Sequence, residues 1–385
     1  MKFIISLVLF FSIFSSLKAQ GTNPIQDIEA SNTERKELYG ELRKKRTSPE
    51  LWLRFYDASK KYITTVTDRS LRQQQLFLDT ILTEMKTKIP NSFEYNFCEW
   101  NSVVLSAERA SFLNTATKLQ PNHPRVLVEN LYVALMTNND SLITLQSNLI
   151  YSKAIIPSQM MNFAYNTLVS TPSGSLLFVD SDKLFEAIIV LQFSKNIRRD
   201  VPVFNKKTLA ENNNRTTLFA KTGLSAYSSM YNDISTTRSL SEPFHSTIVA
   251  LLQYSKKTIS FTSTFNSQLL SSLKDSLYVV GTVYQYSPIQ IKNGKILLSI
   301  WNKLRLEYLR FDLYGEQFQD GEKIKKETYP IYISCATILY NYSKEQQDLN
   351  AMTLYRGFAL SVAKQIGSYD DVEAYFLSLE KLESK

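Results

Sequence analysis

The sequence predicts a mainly helical protein with an embedded α/β unit, in which tetratricopeptide-like helical hairpins flank a small Rossmann-like parallel βαβ region. Three observations carry that expectation. Apolar residues recur at helical spacing from Asn32 to about Ile156, and again from Ile296 onward. The period changes between them at GSLLFVDSDKLFEAIIVLQFSKNIRRDVPVF, Gly174 to Phe204, where two short apolar runs bracket a helical stripe. Only 10 Gly, beside 22 Tyr and 22 Phe, argue against a loop-rich β architecture and for well-filled cores.

The chain opens MKFIISLVLFFSIFSSLKAQG: one lysine, an apolar run from Phe3 to Phe14, then small and polar residues up to Ala19. That is the pattern of a secretory signal peptide, with cleavage expected near Ala19–Gln20. The run is short for a bilayer span, and a lipoprotein would need a cysteine just after the cleavage point. A periplasmic destination is expected, with secretion or the cell surface as alternatives.

Four regions are expected: a leader over 1–19, helical hairpins over 20–165, an α/β region over 166–290 and a second helical region over 291–385. In the first helical region, Ser31 with Glu34 has the spacing of a capping box, and Ser48-Pro49 reads as an N-cap followed by proline at the first helical position. Helical stripes follow through Leu51, Trp52, Phe55, Tyr56, Ser59 and Tyr62, then Leu71, Leu76, Ile81 and Met85, then Phe97, Trp100, Val103 and Val104. FLNTATKLQPNHPRVLVENLYVAL places Leu113, Ala116, Pro121, Leu127, Asn130 and Leu131 at tetratricopeptide-like spacing. In the α/β region, Ser175–Val179 and Asp200–Phe204 read as strands around a helix over Lys183–Asn196. An Asn-rich turn at Asn212 to Asn214 follows, then a helix from Pro243 to Tyr254. KKTISFTST and SLYVVGTVYQY read as two further strands, and YPIYISCATILYNYS suits helix or strand equally. At the far end, Gly367-Ser368-Tyr369-Asp370 marks a turn between two helices.

The order of apolar strand, Asp-x-Asp turn, helix, Ile197-Arg198-Arg199-Asp200-Val201 and second strand resembles the soluble portion of a family of multi-pass Gram-negative envelope proteins labelled protein O-mannosyltransferase-like. LKDSLYVVGTVYQYSP, Leu273 to Pro288, and the terminal helical pair are similar to the same portion. The family's turn is richer in Asn and Gly than the Val-Asp-Ser-Asp-Lys found here. Its transferase chemistry is expected in the multi-pass part, which this chain does not carry. The resemblance therefore implies an α/β unit joined to tetratricopeptide-like helices in the envelope, without glycosyltransferase activity.

Charge and motifs bound the function further. The formal charge of +8 becomes +6 once Lys2 and Lys18 leave with the leader, and basic and acidic residues are interleaved. Arg43 to Arg46 is the one dense basic cluster; it reads as a solvated helix face, so no nucleic-acid partner is expected, though an anionic envelope surface is a possible contact. No GxSxG, HExxH, GxxxxGK[ST] or GxGxxG string occurs. The two histidines, His123 and His245, sit at a turn and near a helix start. Cys98 and Cys335 read as core residues, with a disulfide between them left open.

The candidate ligand or metal residues are Asp180, Asp182 and Glu186. Two aspartates at the carboxyl end of a strand could share a divalent cation bridging a sugar phosphate, with Glu186 one helical turn on. The structural reading has Asp182 capping the helix that begins near Lys183. Arg198 and Arg199 are candidate anion binders, or a solvated loop with Asp200 pairing locally. Tyr227, Tyr231, Tyr278, Tyr284 and Tyr286 are candidate aromatic anchors or sheet-face residues. No cofactor is expected. The favoured reading is an exported interaction or scaffold module with an envelope protein partner; the alternative is a metal-assisted sugar- or phosphate-processing enzyme using Asp180 and Asp182.

Overall fold

The computed structural model describes residues 24–66, 68–103, 109–225, 237–265, 267–310 and 321–381. Residues 1–19, where a leader is expected, and Val104, Tyr227 and Tyr231 lie outside them. The molecule is mainly helical with one small mixed sheet. It divides into two compact units, one made of residues up to Val126 with a segment ending at Glu242, the other of Leu127 onward and Pro243 onward. The expected α/β region and the C-terminal helices thus share one unit. Among the described residues no helix is long and apolar enough to cross a membrane.

The first unit is built from α1 Pro24–Lys44, α2 Pro49–Thr65, α3 Leu71–Lys88, α4 Phe93–Trp100 and α5 Ala110–Leu119. Of the stripes read from the sequence, Leu51, Trp52, Phe55, Tyr56, Leu71, Ile81 and Met85 turn inward and share one core with Leu38, Ile63 and Leu78, whereas Leu76 is exposed because the buried side of α3 runs through Gln74 and Leu78 instead. Ser48 precedes Pro49 at the start of α2 as expected, though its side chain makes no capping bond. The capping box expected of Ser31 and Glu34 does not form, because α1 begins earlier, at Pro24, and buries Ser31 within the helix. The capping box belongs instead to Ser70 and Gln73, at the start of α3. A distant piece of chain completes this corner: the Leu71 N–H donates to the Thr237 carbonyl at 2.7 Å, and Gln74 Nε2 to the Arg238 carbonyl at 2.8 Å.

The second unit continues along α6 Pro124–Met136, α7 Asp140–Ser152 and α8 Ser158–Ser170 into the sheet. Strand β1 Leu176–Phe178 is followed by α9 Asp182–Lys195, β2 Val203–Phe204, α10 Lys206–Ala210, α11 Asn212–Lys221, α12 Ser241–Tyr254 and β3 Ile259–Thr262. After a short helix, α13 Ser267–Ser272, come β4 Leu277–Val280 and β5 Val283–Tyr286. The order is β2-β1-β3-β5-β4; β1 pairs in parallel with β2 and β3, and the β4–β5 hairpin is antiparallel. SLYVVGTVYQY is therefore two strands, turned at Gly281-Thr282. Asn212 to Asn214 are the first turn of α11 rather than a loop. Arg215 secures that start by donating to the carbonyls of Leu209 and Ala210, both at 2.6 Å.

Residues alternate across the sheet. Leu176, Phe178, Ile259, Phe261 and Leu277 pack with Phe244, Ile248 and Leu251 of α12, while α9 packs on α7 and α8. The remaining helices are α14 Asn293–Trp301, α15 Glu307–Arg310, α16 Gly321–Thr328, α17 Pro330–Glu345, α18 Leu349–Gln365 and α19 Tyr369–Lys381. The ambiguous YPIYISCATILYNYS is helical, α17, buried along most of its length. Its Tyr332 hydroxyl accepts from Asn166 Nδ2 of α8 at 2.6 Å and lies 2.9 Å from the Tyr308 hydroxyl, so that these buried polar groups satisfy one another.

Candidate functional site

The candidate ligand residues Asp180, Asp182 and Glu186 follow the carboxyl end of β1, whereas Arg198 and Arg199 precede the start of β2. Phe178 pairs in register with Phe204 on one side and Phe261 on the other. Asp180 follows the end of β1, and Lys206 opens α10 just after β2. Lys206 Nζ stands 3.6 Å from Asp180 Oδ1. His245, in the second turn of α12, has its ring beside Phe244 and Phe265, and its protonation responds to the charges of Asp180 and Lys206. Burial holds this imidazole below its usual pKa, so it is neutral at neutral pH. His245 Nε2 and Ser263 Oγ are withdrawn from solvent and have no hydrogen-bond partner among the described residues.

Asp182 takes different partners. The helix is capped by Ser181, whose Oγ accepts from the Leu184 N–H at 3.4 Å, and not by Asp182. Asp182 takes the first helical position, and Ser181 before it has the extended conformation a cap requires. Its carboxylate accepts from Asn205 Nδ2 at 3.1 Å and pairs with Lys207 Nζ at 3.2 Å. Asn205, fully buried, also donates to the Tyr132 hydroxyl at 3.2 Å and caps α10 through a reciprocal pair with Thr208. The Lys207 ammonium lies 4.6 Å from the centre of the Tyr132 ring, which stacks on Phe185.

Glu186 faces the same group. Burial pushes its carboxyl up to about 8; Lys207 opposes the shift, while Asp182 and Glu129 add to it. Burial works against the Lys207 charge too, but Asp182, Glu129 and Glu186 outweigh it and raise its pKa. Three carboxyl groups thus share one ammonium, and the cheapest neutralisation is a proton on Glu186. Asp182 and Glu186 are brought together around Lys207, whereas Asp180 has its own lysine. Among the described residues, no three or more His, Cys, Asp or Glu side chains are grouped so as to hold a metal ion.

Arg198 and Arg199 act within the fold. Arg198 grips Asp200 through Nε and Nη2 at 2.8 and 2.9 Å, and its Nη1 donates to the carbonyls of Leu168 and Thr171, closing the end of α8. The Arg198 bond holds the Asp200 carboxyl below its usual range. Arg199 pairs with Asp140 at 2.9 Å and lies over the Phe193 ring. At the opposite end of the sheet a concavity of about 520 Å³ is lined by Lys221, Lys256, Lys257 and Tyr254. Lys221 ends α11, and Lys256 and Lys257 follow the end of α12, where their charge offsets the partial negative charge of the helix C-termini.

Comparison of the chain with protein-family models, curated proteins and solved structures found no match. The site therefore rests on its own geometry. Sequence reasoning found Asp180, Asp182 and Glu186 but missed Lys206, Lys207, Asn205 and Tyr132. The Asn-Lys-Lys that follows β2 was the available signal, since the carboxyl ends of neighbouring parallel strands meet.

Proposed function

We propose that this chain is an exported, non-enzymatic interaction module of a bacterial envelope assembly. Tetratricopeptide-like helical hairpins supply its docking surface, and the Rossmann-like βαβ unit serves as a platform. The observation that carries this reading is α7. Ile143, Ser147 and Ile150 bury one side of that helix, as a surface helix requires. On another side Leu142 and Leu145 are 42% and 51% exposed and Leu149 lies one turn on, partly buried. The helix has a single charged residue, Asp140, and Arg199 occupies it. A leucine stripe at i, i+3 and i+7 has the pattern of a helix seated against a partner.

A photo-crosslinking residue at position 145, in cells making the exported chain, is expected to give one discrete protein adduct. The same residue at the exposed polar position Asn148 should give much less. Leu142→Glu with Leu145→Glu should abolish capture without changing the circular dichroism. Equal capture from both positions, or undiminished capture with the double variant, would overturn the reading. The alternative, a metal-assisted sugar or phosphate enzyme using Asp180 and Asp182, draws less support, because each carboxylate already faces its own lysine.

A further inference from the structure

We propose that the concavity at the C-terminal ends of α11 and α12 binds a phosphate monoester, carried by a soluble sugar or by a lipid head. Lys221 ends α11, and Lys256 and Lys257 follow Tyr254, the last residue of α12. Together they bring three ammonium groups, and among the described residues no carboxylate, to the wall of a space of about 520 Å³.

Elsewhere in this unit the cations are taken up by neighbours: Arg198 by Asp200, Arg199 by Asp140, Lys206 by Asp180 and Lys207 by Asp182. Lys221, Lys256 and Lys257 are exposed and have no ion-pair partner among the described residues. The two stretches of chain that supply the walls, 212–232 and 243–274, contain no Asp or Glu. The helix ends do not account for so much positive charge. Each C-terminus carries about half a negative charge, so two of them cancel about one ammonium and leave about +2.

That surplus selects the ligand. A phosphate monoester carries about −1.5 to −2 at neutral pH and matches it. A phosphodiester or a sulfate ester carries a single negative charge, and a metal cation is repelled. Lysine meets phosphate as a point charge and needs no fixed fork of donors. The volume falls within the range of about 300–1,000 Å³ usual for small-molecule sites, more than a phosphate group fills by itself. Tyr254, 54% exposed, and Leu224 add an apolar stretch of wall against which the esterified alcohol can lie.

Titration calorimetry on the full mature chain at low salt would use glucose phosphorylated on its primary hydroxyl, glucose sulfated there, and glucose. Co-sedimentation would use phosphatidylcholine vesicles carrying phosphatidic acid or, at equal fraction, phosphatidylglycerol. Binding of at least one monoester is expected; the sugar phosphate alone marks a soluble ligand, and phosphatidic acid alone marks a lipid. The monoester should bind about 5-fold or more tighter than its singly charged counterpart, and should weaken as salt is raised. Lys221→Gln, Lys256→Gln and Lys257→Gln should each weaken it about 3- to 10-fold. The triple variant should abolish it with circular dichroism unchanged, and the single variants carry the test if the triple unfolds. Lys36→Gln with Lys86→Gln and Lys88→Gln removes the same charge from exposed positions of the first unit and should change binding by less than about 2-fold. The proposal is overturned if neither monoester binds, if the sulfate ester or phosphatidylglycerol binds as tightly, or if the two triple variants weaken binding equally.

Discussion

Glu186 keeps its proton at neutral pH because burial withholds water from its carboxylate and two other carboxyl groups compete for Lys207. Its folded value, about 8, lies above the ordinary 4.5. Between those values the folded protein holds a proton that the unfolded chain has released. The stability linked to this group is therefore fully present below the ordinary value and is lost as pH rises through the folded one. The loss runs at up to about 1.4 kcal/mol per pH unit. Urea unfolding at a series of pH values from about 5 to 8.5 should show wild type weakening on alkalinisation, and Glu186→Gln should flatten that trend. Parallel pH profiles for the two proteins would mean that Glu186 titrates normally.

At the scale of elements, the β4–β5 hairpin depends on one residue. Gly281 has φ +61° at the first position of a two-residue turn, a place that suits glycine. A Cβ there would run into Ser170 Oγ, which accepts from the Thr282 N–H at 3.0 Å. Gly281→Ala should cost about 2–4 kcal/mol, combining left-handed backbone strain with overpacking; a shift in denaturation midpoint measures it. The Gly-Thr pair within SLYVVGTVYQY signalled this turn, yet the segment reads first as one strand because its apolar residues continue on both sides. Strand β1 and helix α9 were legible, since their periodicity is local. The helical start at Asn212 was not, because asparagine favours turns until Arg215 reaches back to α10. The same distinction governs the site. Asp180, Asp182 and Glu186 are close in sequence, but Lys206 and Lys207 reach them from beyond β2 and Tyr132 from α6, through the fold rather than through any local pattern.

For the whole molecule, Cys98 lies in the first unit and Cys335 in the second, and both are free and buried. Burial raises the pKa of both thiols, and Cys335 also donates to the Gly281 carbonyl at 2.9 Å. A water-soluble thiol reagent should leave the native protein unlabelled and add to both cysteines once denaturant is present, as mass spectrometry would read. Label on native protein, or no label after unfolding, would contradict this arrangement. The way the first unit closes has a consequence in time. Its α3 corner is finished by Thr237 and Arg238, more than 160 residues after Leu71 and Gln74. On a ribosome that emits the chain from its N-terminus, the first helices to appear must wait, incomplete, until β1 and β2 of the other unit have been made. The earliest part of this protein is thus sealed only after the second unit has begun to emerge.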